Sequence, residues 1–506
     1  MTEIHQSQTP QRQTGNSARR DPVRHADANT KHGAVPRQPV AVDLVDARGC
    51  PVSGATTDAL EAYETALAAF QTWRTGAELP LAEALREAPR FVMAHALQAY
   101  LMVCSRDPRR VRSARLVLAR TAGLPFNRCE QQHLAALGAV LDDDYELAKS
   151  HLGKLLREQP REALALQVAH ALDYLTGDVA QMHDRVAAVL PAWSSEVPGY
   201  GAVLAMYAFS LEECGEYHRA EHAARAALSL NPLNARAHHV MAHVFEMSER
   251  PDAGIRWMRE HAAGWDLNSV VATHCCWHLA LFHLAQGRID RALDLYDRRI
   301  GAGHTTEVAD LIDASALLWR IDLRGGDAGE RWSALASAWS PHVEDGFCSF
   351  NDIHAMLAFV GARDWNNAAR LELALARSGL SPTRHGLTTR QLGLTACRAL
   401  VALGRGDAAL AAALLASLPW SAHRLGGSHA QRDVLHLTMQ HALEWVRRPS
   451  RLGPVPTAAS AVRPRHRHAG VRSRTTTVAS MLGQRGPGRP SCAASLSSEA
   501  TVAPTN

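Results

Sequence analysis

Gly201 to Ala235 reads GAVLAMYAFSLEECGEYHRAEHAARAALSLNPLNA, and this stretch decides the fold. Leu204, Ala208 and Leu211 recur at helical spacing, Gly215 interrupts them, and Tyr217, Ala220 and Ala227 resume the period until Pro232 stops it. Counted from Gly201, these residues fall at positions 4, 8, 11, 15, 17, 20, 27 and 32. That is the register of a tetratricopeptide repeat, a helical hairpin of about 34 residues. Small Ala208 and Ala220 let two helices approach, Gly215 permits the turn, and Pro232 ends the second helix.

The frame continues outward. A unit from Ala235 runs to Ala272, and its extra length suits a longer loop around Ala263 to Asn268. The next unit starts at Thr273, with Gly287 and Ala292 at the turn and close-approach positions. Upstream, Leu60, Tyr63, Leu67 and Phe70 mark a first helix with Asp58 near its start. Turn signals at Ala88-Pro89, Asp142 to Asp144, Gln159-Pro160 and Thr176-Gly177-Asp178 separate weaker units. Downstream, helix pairs are expected at Glu307 to Trp339, Phe347 to Ser378 and Thr388 to Leu418. The chain is therefore expected to be all-α, a tetratricopeptide-type solenoid over residues 41–447, clearest between 201 and 300.

Residues 1–40 are polar and lack apolar period, so they cannot repay the entropy of ordering and are expected to be disordered; they would also suit a start upstream of the natural one. After Val446 the chain turns to Arg, Pro, Ser, Thr and Gly, with Glu499 as its one acidic residue. The segment 448–506 is expected to be disordered and cannot serve as a capping helix. It resembles a GC-rich frame translated out of phase, which a frameshift near residues 438 to 450 would explain.

The net charge of +4 is small, and Lys31, Lys149 and Lys154 are the only lysines, so positive charge is almost all arginine. Much of the excess of positive over negative charge lies in the terminal segments, so the folded region gives no strong case for a nucleic-acid partner. Nine cysteines with no C-x-x-C pair suit reduced thiols and a cytoplasmic location. No stretch nears the ~20 apolar residues of a membrane span. A phosphate-binding G-x-x-x-x-G-K loop, a dinucleotide fingerprint after a strand and a G-x-S-x-G elbow are all absent from the sequence, which disfavours the enzymes that need them.

Several segments lie outside the generic repeat pattern: Asp46 to Gly49, His239 to Glu246, His274 to His283 with Asp294 to Asp297, Arg331-Trp332, F-N-D-I-H at Phe350 to His354, and L-G-G-S-H-A-Q-R-D-V at Leu425 to Val434. In these the chain resembles the tetratricopeptide repeat protein 38 family over roughly Val42 to Leu435. The resemblance implies an all-helical repeat protein of a kind found in bacteria and animals, with no established reaction. That family continues with further helices beyond Q-R-D-V, where this sequence enters its arginine-proline tail.

Positions 2, 5, 9, 12 and 13 of a repeat face the concave groove. In the unit from Ala235 these are Arg236, His239, His243, Glu246 and Met247; in the next, His274, Trp277, Leu281, Leu284 and Ala285. The leading expectation is a scaffold that binds a peptide, a protein partner or a small ligand in a groove lined by Arg236, His239, His243, Glu246, His274, Trp277 and His278, with Asp352 and His354 added from a later repeat. The alternative is a metal-dependent enzyme that uses the same histidine-rich groove, with Asp352 and His354 brought in from the later repeat in a catalytic role. His239 with His243 and His274 with His278 are each four residues apart, which puts each pair on one helical face and supplies imidazole ligands for a divalent metal ion. The spacing lacks the glutamate of H-E-x-x-H, so no metalloprotease signature is present.

Plainer readings stand beside these. The histidines of a chain with 27 of them can simply pack, and Asn351 or Asp352 can cap a helix. Asp310 and Asp313 suit either carboxylates behind metal ligands or a solvated face. Gly426-Gly427 reads as a hinge before an N-cap at Ser428, and Arg432 and Asp433 either reach the groove or, the favoured reading, tie the last helix pair to the repeat before it. A reactive nucleophile at Cys275 or Cys276 is disfavoured, because neighbouring cysteines point to different helical faces.

Overall fold

Asn231-Pro232 breaks the helical period and the Asn234 side chain accepts a hydrogen bond from the Ala237 amide, so one helix stops and the next starts within a few residues. The same device recurs along the chain. A computed structural model describes residues 44–418 and 422–447, and the expected tails 1–40 and 448–506 lie outside them.

Helices follow one another in pairs: α1 (Thr57–Gln71) and α2 (Glu78–Glu87), α3 (Val92–Val103) and α4 (Pro108–Arg120), α5 (Arg128–Leu141) and α6 (Tyr145–Glu158), α7 (Ala163–Thr176) and α8 (Val179–Val189), α9 (Tyr200–Glu213) and α10 (Tyr217–Leu230). Then come α11 (Ala235–Met247), α12 (Pro251–Glu260) and the single turn α13 (Ala262–Trp265), which occupies the inserted loop expected there. α14 (Ala272–Ala285) and α15 (Ile289–Leu295), α16 (Val308–Leu323) and α17 (Arg331–Trp339), and α18 (Ser349–Gly361) and α19 (Trp365–Ser378) continue the series. It ends with the short α20 (Arg384–Thr388), α21 (Leu394–Gly404), α22 (Ala408–Leu415) and the long α23 (His429–Arg447).

The protein is all-α apart from one feature that the sequence reading did not anticipate. β1 (Leu44–Val45) and β2 (Pro51–Val52) form a small antiparallel hairpin. Asp46 to Gly49 makes its turn: Asp46 accepts from the Arg48 and Cys50 amides, Gly49 takes a φ of 86°, and Arg48 bridges Asp46 and Glu64 at 2.7 Å each. Among the described residues, no helix is long and apolar enough to cross a membrane.

Each helix packs on its sequence neighbours, and one apolar core from Val52 to Met206 meets a second from Met182 to Ala442 around α8 and α9. The inner face is not left open. The segment after α1 bonds across to the start of α11 and the loop before α14, through Ala235 N to Thr72 O at 3.1 Å and Val270 N to Trp73 O at 3.0 Å. The loop after α3 reaches α18, where Asn351 donates to the Arg106 carbonyl at 3.3 Å and Arg106 lies over Phe350. α20 reaches back through Arg384 to Glu146, Asp178 and the Thr176 carbonyl. The amino-terminal helices are thereby held against the carboxy-terminal ones.

Gly426 and Gly427 are a tight junction rather than a hinge. Their φ values are 76° and 78°, and a Cβ would fall 2.4 Å from the Leu175 carbonyl oxygen at Gly426 and 2.3 Å from the Phe350 ring at Gly427. Gly427→Ala is therefore expected to lower stability by about 2 kcal/mol, from the left-handed backbone and the collision together. Chemical denaturation measures this, and an unchanged midpoint would remove the packing argument.

Candidate functional site

α11 is buried continuously from Ala235 to Phe245, and α14 is buried nearly all round, between α11, α12, α15 and α16. Its histidines therefore have protein, not solvent, to face. His239 and His243 on α11 meet His274 and His278 on α14, and one ring nitrogen from each lies within 4.8 Å of all the others. Ring centroids are 4.4 Å apart for His239 and His243, 4.8 Å for His239 and His274, 4.5 Å for His243 and His278, and 4.8 Å for His274 and His278. The four rings form a closed quadrilateral.

Three of these imidazoles have a carboxylate behind them. His274 Nδ1 lies 2.7 Å from Asp313 Oδ2, and His278 Nδ1 lies 2.6 Å from Glu246 Oε2. His243 Nδ1 faces Glu212 Oε2 at 3.5 Å, too long for a hydrogen bond. A carboxylate on Nδ1 fixes the tautomer and aims the Nε2 lone pair forward, the arrangement that supports histidine ligands of metals. In front, His243 Nε2 and His239 Nε2 are 2.9 Å apart, so a proton or a cation must separate their lone pairs, while His278 Nε2 has no partner. Zinc bound tetrahedrally at about 2.0 Å holds its nitrogens roughly 3.4 Å apart, so the spacings present need shifts on the order of 1 Å to close on an ion.

Electrostatics favour neutral rings. Burial first, and then neighbouring histidines, hold His239 and His278 well below the usual imidazole range and His243 at about 3. Each neutral ring keeps one lone pair, and an ion seated between His239 and His243 would displace the proton that they share. Burial pushes the Glu212 and Glu246 carboxyls up to about 8, which marks an interior short of positive charge at these acids.

α23 supplies the remaining wall. Ser428 accepts from the Gln431 amide at 3.3 Å, as expected of its N-cap, and Gln431 then links Asp313 Oδ1 at 3.1 Å to the Tyr174 hydroxyl at 2.9 Å. Arg432 pairs with Glu213 at 3.3 Å, and the His429 amide donates to the same carboxylate at 2.9 Å. Arg432 therefore reaches the inner face at α9 instead of tying the last helix pair to its neighbour.

The groove expectation changes most. Arg236, His239, His243, Trp277 and His278 are all buried, because α23 and the loop after α1 cover the face they line. A peptide or protein lying along the helices would not touch them. Glu246 and His274 keep the site's partly exposed edge, with side chains 21% and 15% accessible. Trp277 stacks on His274, with centroids 5.3 Å apart, and so serves as packing for a ring of the cluster.

Asp352 and His354 do not join the four histidines. His354 Nδ1 donates to its own helix at the Phe350 carbonyl, 2.7 Å away, though Asp313 and Arg320 are near enough to influence its charge. Asp352 has Asp345, Cys348 and Cys397 among its titratable neighbours. Neither Asn351 nor Asp352 caps α18, whose N-cap is Cys348 without a side-chain bond; Asn351 instead holds the Arg106 carbonyl.

The residues missed were Glu212 and Glu213. The signal was present, since groove positions 9, 12 and 13 of the unit from Gly201 are Phe209, Glu212 and Glu213. Phe209 packs on both His239 and His243, with centroids 5.6 Å apart in each case. No family model matches the chain.

Proposed function

We propose that this chain is a tetratricopeptide-type helical repeat protein, similar to the tetratricopeptide repeat protein 38 family, that carries a transition-metal centre on its covered inner face and uses it as a metal-dependent enzyme on a small molecule. One observation carries the reading: four imidazoles converge while Asp313, Glu246 and Glu212 stand behind three of them. Packing alone would not require a carboxylate at the back of ring after ring, and neutral histidines suit zinc, iron, copper or nickel better than magnesium or calcium.

Such an ion would supply Lewis acidity or an activated water. The chain's own contribution is to orient the ligands, keep bulk water out and leave Glu246 and His274 at an accessible edge through which a small molecule, not a peptide, can approach. The end of the chain beyond α23 has no part in the reading.

Elemental analysis of the full chain, purified without an affinity metal and without chelator, is expected to give one equivalent of a first-row transition metal. A chelated sample is expected to take up Co2+ with saturable d–d absorption at one equivalent. Absence of both results would end the proposal. Metal uptake without turnover on small ester, amide or phosphate substrates would leave a structural metal site and remove the enzymatic part.

A further inference from the structure

Arg236 is a buried cation without a counter-ion. It is 2% exposed, its Nη2 donates to Gln167 Oε1 at 2.7 Å, and its Nε has no partner. Among the described residues, no carboxylate lies within ion-pair distance of it. Burial holds His170, near it, at about 3 and raises the nearby Cys104 thiol to about 12, so neither brings it a negative charge. Leaving a guanidinium buried and unpaired costs several kcal/mol, so such a charge normally has an anion to meet.

A second donor stands beside it. His239 Nδ1 has no partner, and His239 directs its Nε2 toward His243, so Nδ1 is the nitrogen left over when the ring serves the histidine cluster. Both groups rest on one indole. The Arg236 Cζ is 4.3 Å from the Trp73 ring centroid and the His239 ring is 5.2 Å from it. Trp73 is only partly buried and takes a φ of 58°, a left-handed conformation that is rare for a bulky residue and that clusters at ligand clamps. Its segment is pinned by backbone bonds on both sides, Ala235 N to Thr72 O at 3.1 Å and Thr75 N to Asn268 O at 2.9 Å.

We propose that Arg236 and His239, under the cover of Trp73, receive a small oxyanion, the carboxylate or phosphate group of a ligand. The guanidinium fork suits either group in a bidentate pair. The inference rests on the proposed metal centre only where it makes this anion the anchoring group of the substrate. The anion site itself stands without a metal.

The test uses the full chain after chelation, so that failure of the metal reading leaves its outcome untouched. Thermal melting and calorimetry are run with sodium acetate and, separately, inorganic phosphate, against chloride at matched ionic strength. At least one of the two is expected to bind saturably and raise Tm, and which one does so separates a carboxylate from a phosphate ligand. Arg236→Met is expected to weaken that binding at least tenfold, while its Tm in chloride equals or exceeds that of the parent because an unpaired buried charge is gone. Binding by neither anion, or equal binding by the variant, would overturn the proposal. Should Arg236→Met not fold, Arg236→Lys decides: affinity at least fivefold weaker supports the fork, and unchanged affinity refutes it.

Discussion

Replacing His278 with alanine is expected to abolish saturable binding of Co2+ or Zn2+. His278 supplies an unpartnered Nε2 and is held by Glu246 from behind, so its removal leaves that corner of the quadrilateral without its imidazole. Glu246→Gln and Asp313→Asn keep the shape and an acceptor oxygen but remove the carboxylate that, once an ion displaces the proton burial holds on Glu246, makes His278 and His274 better ligands. Each is expected to weaken metal binding by about 10- to 100-fold.

His354→Gln provides the control. That ring is buried and near Asp313, yet it bonds its own helix, so affinity is expected to stay within about twofold of the parent. Competition titration against a chromophoric chelator measures all four variants. If His278→Ala binds as tightly as the parent, the histidines only pack. Metal also stabilises the fold by mass action, by about 2.7 kcal/mol at a hundred times Kd, so the same series is expected to rank identically in thermal shift.

Asp352→Asn is expected to be more stable than the parent at pH 8 and to converge with it below about pH 3.8. Burial pushes the Asp352 carboxyl up to about 7 from its usual 3.8, with Asp345 adding to the shift. A raised pKa means that the native state prefers the protonated acid. The parent therefore keeps this contribution below pH 3.8 and loses it as pH rises through 7, whereas asparagine stays neutral throughout. At 1.36 kcal/mol per unit, the gap reaches on the order of 4 kcal/mol above pH 7. Other buried acids and histidines cancel in the difference between the two proteins. A difference that does not change with pH would mean that Asp352 is not held protonated, and loss of turnover in a stabilised variant would restore the catalytic role considered for it.

The repeat register was readable because Gly215, Pro232 and the small residues Ala208 and Ala220 act locally. The helix pairs α9 to α15 begin where it places them, at Tyr200, Ala235 and Ala272, while the later pairs are more widely spaced. It also brought His239, His243 and His274 to one place, and Glu212 and Glu213 would have joined them had the same positions been counted one unit earlier. What the register could not contain was the closure of the inner face. Trp73 over Arg236, Gln431 between Tyr174 and Asp313, and Arg432 on Glu213 each join residues far apart in sequence, and no periodicity records such pairings. The small β-hairpin at Leu44 to Val52 was missed for a different reason: two residues per strand leave no alternation to detect.

The covered inner face also bears on how the protein comes into being. A simple repeat array can fold unit by unit as it leaves the ribosome, because each hairpin needs only the next. Here Tyr174 waits for Gln431, 257 residues later, and Glu213 waits for His429 and Arg432, 216 and 219 residues later. At about 5–20 residues per second, the nascent chain spends more than ten seconds with buried arginines, acids and aromatic rings facing water. Two consequences are expected during synthesis: the groups that the folded inner face buries are open to unwanted contacts, and the four histidines stay accessible until the last helix lands.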